Sequence, residues 1–160
     1  MTKTCRLELL HPSSHHLVRE IYVEAIENLG KGFYTKEQIQ AWSSLAFLPG
    51  ILDNSLLYGK GWVSLADVDN QVAAFAVRYP LDRLSLLYCR SCFARQGHAT
   101  ALLNQIQKDA KQDGQEYLRV EASSLSFDLL LKLGWTFIKP ESIEIAGVKF
   151  ERYLLELKLI

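Results

Sequence analysis

The segment from Leu87 to Leu103 contains residue types that bind an anion. Arg95, Gly97 and Thr100 lie where a predicted strand passes through a short loop into a predicted helix that begins at His98. The first turn of a helix leaves backbone N–H groups without intrahelical partners and carries a positive partial charge. Gly97 allows an anion to approach the backbone closely, and the Thr100 hydroxyl adds a hydrogen-bonding group. The segment therefore predicts a phosphate or diphosphate site, with a merely relaxed strand-to-helix turn as the alternative.

The same segment lacks two common nucleotide motifs. No Gly-Lys-Ser/Thr follows the loop, and the glycine spacing is not Gly-x-Gly-x-x-Gly, which excludes a P-loop and a dinucleotide-binding turn. Cys89 and Cys92 have the C-x-x-C spacing of a redox or zinc half-site, but no second pair of ligands is spaced to complete zinc coordination. A cysteine hydrolase that uses Cys89 or Cys92 with a histidine is a separate alternative.

The chain has 4 histidines, and their spacing does not indicate a metal site. His11, His15 and His16 lie near the start of the first predicted helix, and no third ligand at metal spacing accompanies them. We expect these side chains to be exposed. We expect the ring of His98, in the first turn of the later helix, to face solvent as well.

The elements that position these residues follow from hydrophobic spacing and turn residues. Thr35 and Gln38 form a capping box, in which each side chain bonds the other residue's backbone N–H, and this predicts the start of a second helix. The predicted helices are Ser13 to about Asn28, the helix after Thr35, His98–Gln112 and Leu125–Leu133. The predicted strands are Thr4–Leu10, Gly61–Asp67, Val72–Tyr79, Arg83–Cys89, Tyr117–Ala122, a strand from Trp135 onward, and Val148–Leu159. This order predicts an α+β fold whose middle strands are antiparallel neighbours.

Two parts of the chain resemble the GNAT acetyltransferase superfamily. The first is the loop Arg95-Gln96-Gly97-His98-Ala99, and the second is the short helix that ends Lys132-Leu133-Gly134-Trp135. In that family the loop Arg/Gln-x-x-Gly-x-Gly/Ala wraps the pyrophosphate of acetyl-coenzyme A, and the preceding strand splays from its neighbour to bond the pantetheine arm. The resemblance implies a mixed, mostly antiparallel central sheet of about seven strands, with helices on both faces. It also implies acetyl-coenzyme A as the co-substrate.

The resemblance further implies which residues bind the cofactor. Gly97 and Ala99 match the two small residues of the loop, and the residues around them supply backbone amides. Leu87 and Cys89 match positions whose main chain meets pantetheine. The full set implied to bind acetyl-coenzyme A is Leu87, Tyr88, Cys89, Arg95, Gln96, Gly97, His98, Ala99, Thr100, Ser123 and Lys132.

The chain departs from the family pattern at several positions. Ala94 fills a slot where the family has Arg or Gln, so one side-chain contact is missing or is taken by Arg95. Ser123 stands where an Asn commonly bonds pantetheine, and Leu130 stands where many members have a Tyr that protonates the departing thiolate. Lys132 either reaches the nucleotide 3′-phosphate or is a solvated residue at a helix end.

Transfer to an amine also requires a base, an acid and a pocket for the acceptor. Glu121 lies beside the predicted cofactor arm between apolar neighbours, so it is the candidate base; an outward-facing strand glutamate is the alternative. Tyr34 is the candidate substitute acid; a residue that packs against its own helix is the alternative. The resemblance implies that Tyr34 and Trp42 lie where the family walls its acceptor pocket, although Trp42, at helical spacing with Ile39, also fits a core position.

Composition limits the function classes. At 160 residues the chain fits one domain, residues 1–160, and its 18 Lys and Arg residues balance its 18 Asp and Glu residues. The zero formal charge gives no support for nucleic-acid binding. Charges near the start do not suit a signal peptide, and no apolar run reaches the length of a membrane span, so we expect a cytoplasmic protein without a membrane partner.

The resemblance implies an N-acetyltransferase that moves an acetyl group from acetyl-coenzyme A to an amine of a small molecule or peptide, by direct attack in a ternary complex. A non-catalytic module that binds or senses acyl-coenzyme A is the alternative, favoured by Ala94 and Leu130. A homodimer formed through the apolar terminal strand that ends at Ile160 is a further expectation.

Overall fold

The computed structural model describes residues 5–160, which contain seven strands and five α-helices. The strands are β1 (Arg6–Leu9), β2 (Lys60–Leu65), β3 (Val72–Arg78), β4 (Leu84–Cys89), β5 (Tyr117–Ala122), β6 (Thr136–Ile145) and β7 (Val148–Lys158). The helices are α1 (His15–Leu29), α2 (Lys36–Ser43), α3 (Ile51–Tyr58), α4 (His98–Gln112) and α5 (Phe127–Lys132). The predicted α+β class is confirmed.

The strands form two sheets that separate at one junction. The first sheet has the order β1-β2-β3-β4 and the second the order β5-β7-β6, and all ladders within them are antiparallel. Among the described residues, one parallel bridge joins Arg83, which directly precedes β4, to Arg119 of β5, and the Arg119 N–H donates to the Asp82 carbonyl at 2.9 Å. No further ladder joins the two strands within residues 5–160. The predicted splayed pair is therefore β4 and β5.

Helices cover both faces of the first sheet. α1 packs on β3 and β4 from one side, and α4 packs on β2, β3 and β4 from the other. This arrangement explains why β3 is a nearly continuous apolar run, since both of its faces are buried. One core cluster joins α1, α2 and α3 to the first sheet and to Phe150 of β7, and a second joins α4 and α5 to β5 and β7.

The local signals that are strongest in the sequence are reproduced in the structure. The Thr35 Oγ1 accepts the Gln38 N–H at 3.1 Å, and the Gln38 Oε1 accepts the Thr35 N–H at 2.9 Å, which confirms the capping box at the start of α2. Helix α4 and strand β5 have the predicted bounds. The sequence pattern does not predict helix α3, because it is short, its apolar residues do not form a clear stripe on one face, and it begins after Gly50 without a side-chain cap.

Two expectations about the terminal strands need correction. The predicted first strand begins at Thr4, which lies outside the described residues, and within them β1 begins at Arg6. The alternation of Cys5, Leu7 and Leu9 with Arg6 and Glu8 predicts that these three residues share the buried face of the strand, but Leu9 is exposed. The last strand, β7, lies between β5 and β6, so it is not the sheet edge through which a second copy is expected to pair.

Candidate active site

The side of β4 that faces away from β3 presents main-chain groups to the junction between the sheets. The Arg90 N–H donates to the Ala73 carbonyl at 2.8 Å, and this bond identifies which residue pairs of the β3–β4 ladder are hydrogen-bonded. Residues of an antiparallel ladder alternate between bonding the partner strand and facing away from it. Leu87 and Cys89 therefore direct their N–H and C=O groups toward β5, as their expected role requires. Tyr88 bonds β3 through its backbone and lines the cavity described below, so its predicted contact with the cofactor would be made by the side chain.

The loop between β4 and α4 has left-handed backbone conformations at two exposed residues. Gly97 has a φ of +92° and Arg95 a φ of +61°. A Cβ atom built on Gly97 would meet a single atom, the Cys5 Sγ, at 3.9 Å, so the space in front of this residue is open. The first intrahelical bond of α4 runs from the Ala101 N–H to the Gly97 carbonyl at 3.0 Å. The helix therefore begins with its N-terminal amides directed at an accessible concave loop, which suits an anion.

Glu24 of α1 holds the start of this loop. Its carboxylate accepts the Ser91 N–H at 3.0 Å and also the Ser91 hydroxyl. The sequence gives no signal for this contact, because the two residues are 67 positions apart and lie in different elements. The contact ties the loop to the helix on the opposite face of the sheet.

A cavity of about 310 Å³ lies at the junction of the two sheets and reaches both faces. Ala99 of α4 lines it with Leu87 and Cys89, while Tyr34 and Trp42 line it on the side of α1 and α2. The predicted site residues that line this cavity are Tyr34, Trp42, Leu87, Tyr88, Cys89, Ala99, Glu121 and Ser123. The predicted residues that do not line it are Arg95, Gln96, Gly97, His98, Thr100 and Lys132.

Tyr34 joins the region before α2 to the segment after β5. Its hydroxyl oxygen accepts the Ser124 N–H at 2.8 Å, and its ring lies 5.3 Å from Trp42 and 6.0 Å from Phe150, centre to centre. Because the hydroxyl oxygen accepts this bond, its own proton can be directed elsewhere. Trp42 is 8% exposed and belongs to the core cluster, so it is both a core residue and part of the cavity wall.

Glu121 lies in the cavity wall as one member of an ion-pair network. It is 12% exposed, and its carboxylate accepts bonds from the Arg83 Nε at 2.7 Å and from Arg119 at 3.3 Å. Arg83 also lines the cavity. The sequence places Arg83 at the start of a strand but does not indicate this pairing, which depends on the junction of β4 and β5.

The exposed fractions of His98, Leu130 and Lys132 describe the environments of three side chains that the sequence analysis singled out. His98, expected to face solvent, is 5% exposed, and its Nδ1 lies 2.7 Å from the buried Ser64 hydroxyl. That expectation is wrong because α4 packs its first turn against β2. Leu130 is 0% exposed and belongs to the second core cluster, while Lys132 is exposed at the end of α5.

Cys89 lacks the low thiol pKa that a nucleophilic cysteine requires. Burial, followed by the neighbouring Cys92, Glu24 and Cys5, raises the pKa of the Cys89 thiol to about 12, so the thiol is neutral at pH 7. In the part of the chain that the structure describes, no His, Cys, Asp and Glu side chains are grouped as metal ligands. No helix among residues 5–160 has the length and apolar character of a membrane span.

Comparisons with known proteins agree with this geometry. The family described as acetyltransferase (GNAT) domain matches residues 32–157. A GCN5-related N-acetyltransferase structure from Rhodopseudomonas palustris is 22% identical, with a TM-score of 0.91 over 99% of this chain and 98% of that chain. PaiA N-acetyltransferase from Thermoplasma acidophilum, solved in complex with coenzyme A, is 18% identical, with a TM-score of 0.72 over 98% of this chain and 99% of that chain.

A further structural neighbour is YncA of Salmonella typhimurium, solved with its cofactor acetyl-CoA. It is 16% identical, with a TM-score of 0.66 over 99% of this chain and 95% of that chain. At these identities the structural likeness establishes the fold alone. A search of curated protein sequences finds no match.

Proposed function

The chain belongs to the GNAT acetyltransferase family, and from this premise we propose that it transfers an acetyl group from acetyl-coenzyme A to an amine by direct attack in a ternary complex. The observation that carries the proposal is the cavity at the junction of β4 and β5, because residues from both faces of the first sheet line it. A donor and an acceptor can therefore enter from opposite sides and meet there.

The described residues fit acetyl-coenzyme A in two independent places. The open edge of β4 offers main-chain groups of Leu87 and Cys89 to an extended amide-containing arm. The loop at Gly97, with its open front and adjacent helix start, suits a diphosphate. When bound, this co-substrate supplies the acetyl group as a thioester. The side chains of Ser123 and Lys132 are proposed as further contacts to it.

Two side chains on the acceptor side are proposed to move protons. Glu121 takes a proton from the acceptor amine, directly or through one water, after giving up one bond to an arginine. Tyr34 donates the proton of its hydroxyl to the departing sulfur as the new C–N bond forms and the C–S bond breaks. The buried Leu130 cannot perform this step, since its side chain has no exchangeable proton.

Direct attack is favoured over an acyl-enzyme. The Cys89 thiol, with its pKa raised to about 12 by burial, has little thiolate at neutral pH and is a poor nucleophile. The second candidate function is a non-catalytic acyl-coenzyme A binding module. The observation that favours it is Leu130, which lies in the core at the family's usual acid position.

Release of free thiol from acetyl-coenzyme A, measured with and without a panel of amines, separates the two functions. We expect thiol release that depends on the acceptor and matches the amount of acetylated amine detected by mass spectrometry. Tight binding of acetyl-coenzyme A by calorimetry, with no acceptor-dependent release, would instead support the binding module.

Replacement of Glu121 by glutamine is expected to lower turnover by about 100-fold and to flatten its dependence on pH, because general base catalysis contributes about 10²–10⁴-fold. The measurement is kcat across the pH range with a fixed amine. Arg119→Gln is the matched control, since it removes one of the two arginine partners and leaves the carboxylate. The control should keep a kcat that depends on pH. If the pH profile of kcat in E121Q equals that of the wild type, Glu121 acts only as an ion-pair residue and is not the base.

A further inference from the structure

Arg152 of β7 presents a positively charged group to the cavity. It lines the cavity wall, and its side chain is 31% exposed. The Arg152 Nε donates to the Glu141 carboxylate at 2.9 Å, and no other side-chain hydrogen bond or ion pair of Arg152 is present among residues 5–160. Because an arginine side chain has five N–H donors, the ion pair with Glu141 orients the guanidinium and leaves its two terminal nitrogens able to donate.

Arg152 and the candidate base Glu121 lie on the same face of the second sheet. Glu121 of β5 pairs with Leu154 of β7, and Arg152 precedes Leu154 by two residues on the same strand. Paired residues of an antiparallel ladder share a face, and so do residues two apart along a strand. Such diagonal neighbours lie about 7–8 Å apart, within reach of long side chains. A small molecule that contacts the Glu121 carboxylate can therefore contact the Arg152 guanidinium at the same time.

The register places Arg152 where β4 and β5 have separated. Tyr153 pairs with Ala122, the last residue of β5, so Arg152 lies one residue beyond the end of that strand. Arg83, another arginine that lines the cavity, forms the bridge to Arg119, where the two sheets are still joined. An acceptor that enters the open part of the junction therefore meets Arg152 before it can reach Arg83.

Glu151, the residue before Arg152, also lines the cavity, and its carboxylate has no ion pair among residues 5–160. Successive side chains of a strand point to opposite faces, so Glu151 points away from the face that carries Arg152 and the buried Phe150. Glu151 is exposed to solvent. An acceptor held beside Glu121 therefore meets the guanidinium of Arg152 and not the carboxylate of Glu151.

On the basis of the proposed function, we propose that the acceptor is an amine that also carries a carboxylate, as amino acids do, and that Arg152 binds this carboxylate. The terminal nitrogens of the guanidinium donate two parallel hydrogen bonds to the carboxylate oxygens, which fixes the orientation of the acceptor. The amine of the same molecule then lies at Glu121, the proposed base. In an α-amino acid both groups are attached to one carbon atom, which suits two long side chains that converge from diagonal positions.

Neutral amino acids and their amides test this assignment on the full chain. The members of each pair, such as leucine and leucinamide, have the same size and the same reacting amine and differ by the charge of the carboxylate. We expect kcat/KM for the acid of the preferred pair to exceed that for its amide by at least about tenfold, because the amide cannot accept two charge-assisted hydrogen bonds.

Three variants test whether Arg152 causes this preference. Arg152→Gln should lower kcat/KM for the acid by about tenfold or more and leave that for the amide nearly unchanged. Glu141→Gln is the matched control, because it breaks the same partly exposed ion pair but keeps the guanidinium, and it should keep the preference for the acid. Glu151→Gln removes the neighbouring charge and should leave the preference unchanged. Thermal unfolding establishes that the variants are folded.

The outcomes separate the acceptor class from the transferase activity. Equal use of acid and amide in every pair, no use of amino acids while other amines are acetylated, or an acid preference that survives Arg152→Gln would each overturn the acceptor class and leave the acetyltransferase intact. Better use of hexamethylenediamine than of any amino acid, lost in Glu151→Gln, would overturn it in favour of a second ammonium group bound at Glu151. Absence of acceptor-dependent thiol release with every amine, despite acetyl-coenzyme A binding, would overturn the proposed function as well.

Discussion

Replacement of Gly97 by valine is expected to weaken the binding of acetyl-coenzyme A by about 100-fold and to leave the fold intact. Gly97 has a φ of +92°, which costs a β-branched residue about 1–3 kcal/mol. Because a Cβ atom at this position meets only the Cys5 Sγ at 3.9 Å, the new side chain fits without displacing the core. Its methyl groups occupy the open space before the loop, where they obstruct the amides. Loss of two hydrogen bonds to a charged group, at about 1.5 kcal/mol each, gives the expected change.

The matched control for this variant lies at the other end of the same helix. Gly114 has a φ of +82°, and a Cβ atom at this position would meet no other atom within 4 Å, so Gly114→Val carries comparable backbone strain far from the loop. Calorimetric titration should find normal affinity in G114V and weakened affinity in G97V, while both lose similar thermal stability. Equal affinities in the two variants would show that the loop does not hold the diphosphate.

Local signals in the sequence predict the elements that begin with a side-chain cap or that have regularly spaced apolar residues. Helix α4 is predicted from His98 to Gln112 because its apolar stripe is continuous, and the capping box at Thr35 fixes the start of α2. The loop at Gly97, which we propose to bind the cofactor, is predictable for the same reason, since its glycine and the helix that follows are adjacent in the chain. Helix α3 is not predicted, because it has neither a side-chain cap nor a clear stripe of apolar residues on one face.

The rest of the candidate site depends on contacts that no local pattern encodes. Glu24 meets Ser91, and Tyr34 meets Ser124, across 67 and 90 residues of chain. Glu121 could be selected as a polar residue on a strand, but its pairing with Arg83 follows from the single bridge that joins the two sheets within residues 5–160. The burial of His98 has the same origin, because Ser64 of β2 reaches the helix start only after α4 packs on the first sheet.

Replacement of Tyr34 by phenylalanine is expected to lower kcat by about 100-fold or more, while the KM for acetyl-coenzyme A changes little. The variant keeps the ring and its contacts with Trp42 and Phe150, and it removes the proton that we assign to the departing sulfur. General acid catalysis contributes about 10²–10⁴-fold, which sets the size of the effect. Steady-state kinetics with a fixed amine gives both constants.

A structural role for Tyr34 predicts a different result, and two measurements separate the alternatives. Removal of the hydroxyl leaves the Ser124 N–H without its acceptor, which costs about 1–3 kcal/mol of stability but does not by itself alter proton transfer. Tyr22→Phe is the matched control, because the Tyr22 hydroxyl also bonds a backbone group and its ring also lines the cavity. If Tyr34 is the acid, kcat falls in Y34F and not in Y22F. Rate-limiting proton transfer slows turnover in deuterated water, and Y34F alone should lose this solvent isotope effect. The contrary result is that Y34F and Y22F lose stability and kcat to the same extent and that both retain the solvent isotope effect. In that case the hydroxyl of Tyr34 only anchors the segment after β5, and the departing thiolate takes its proton from water.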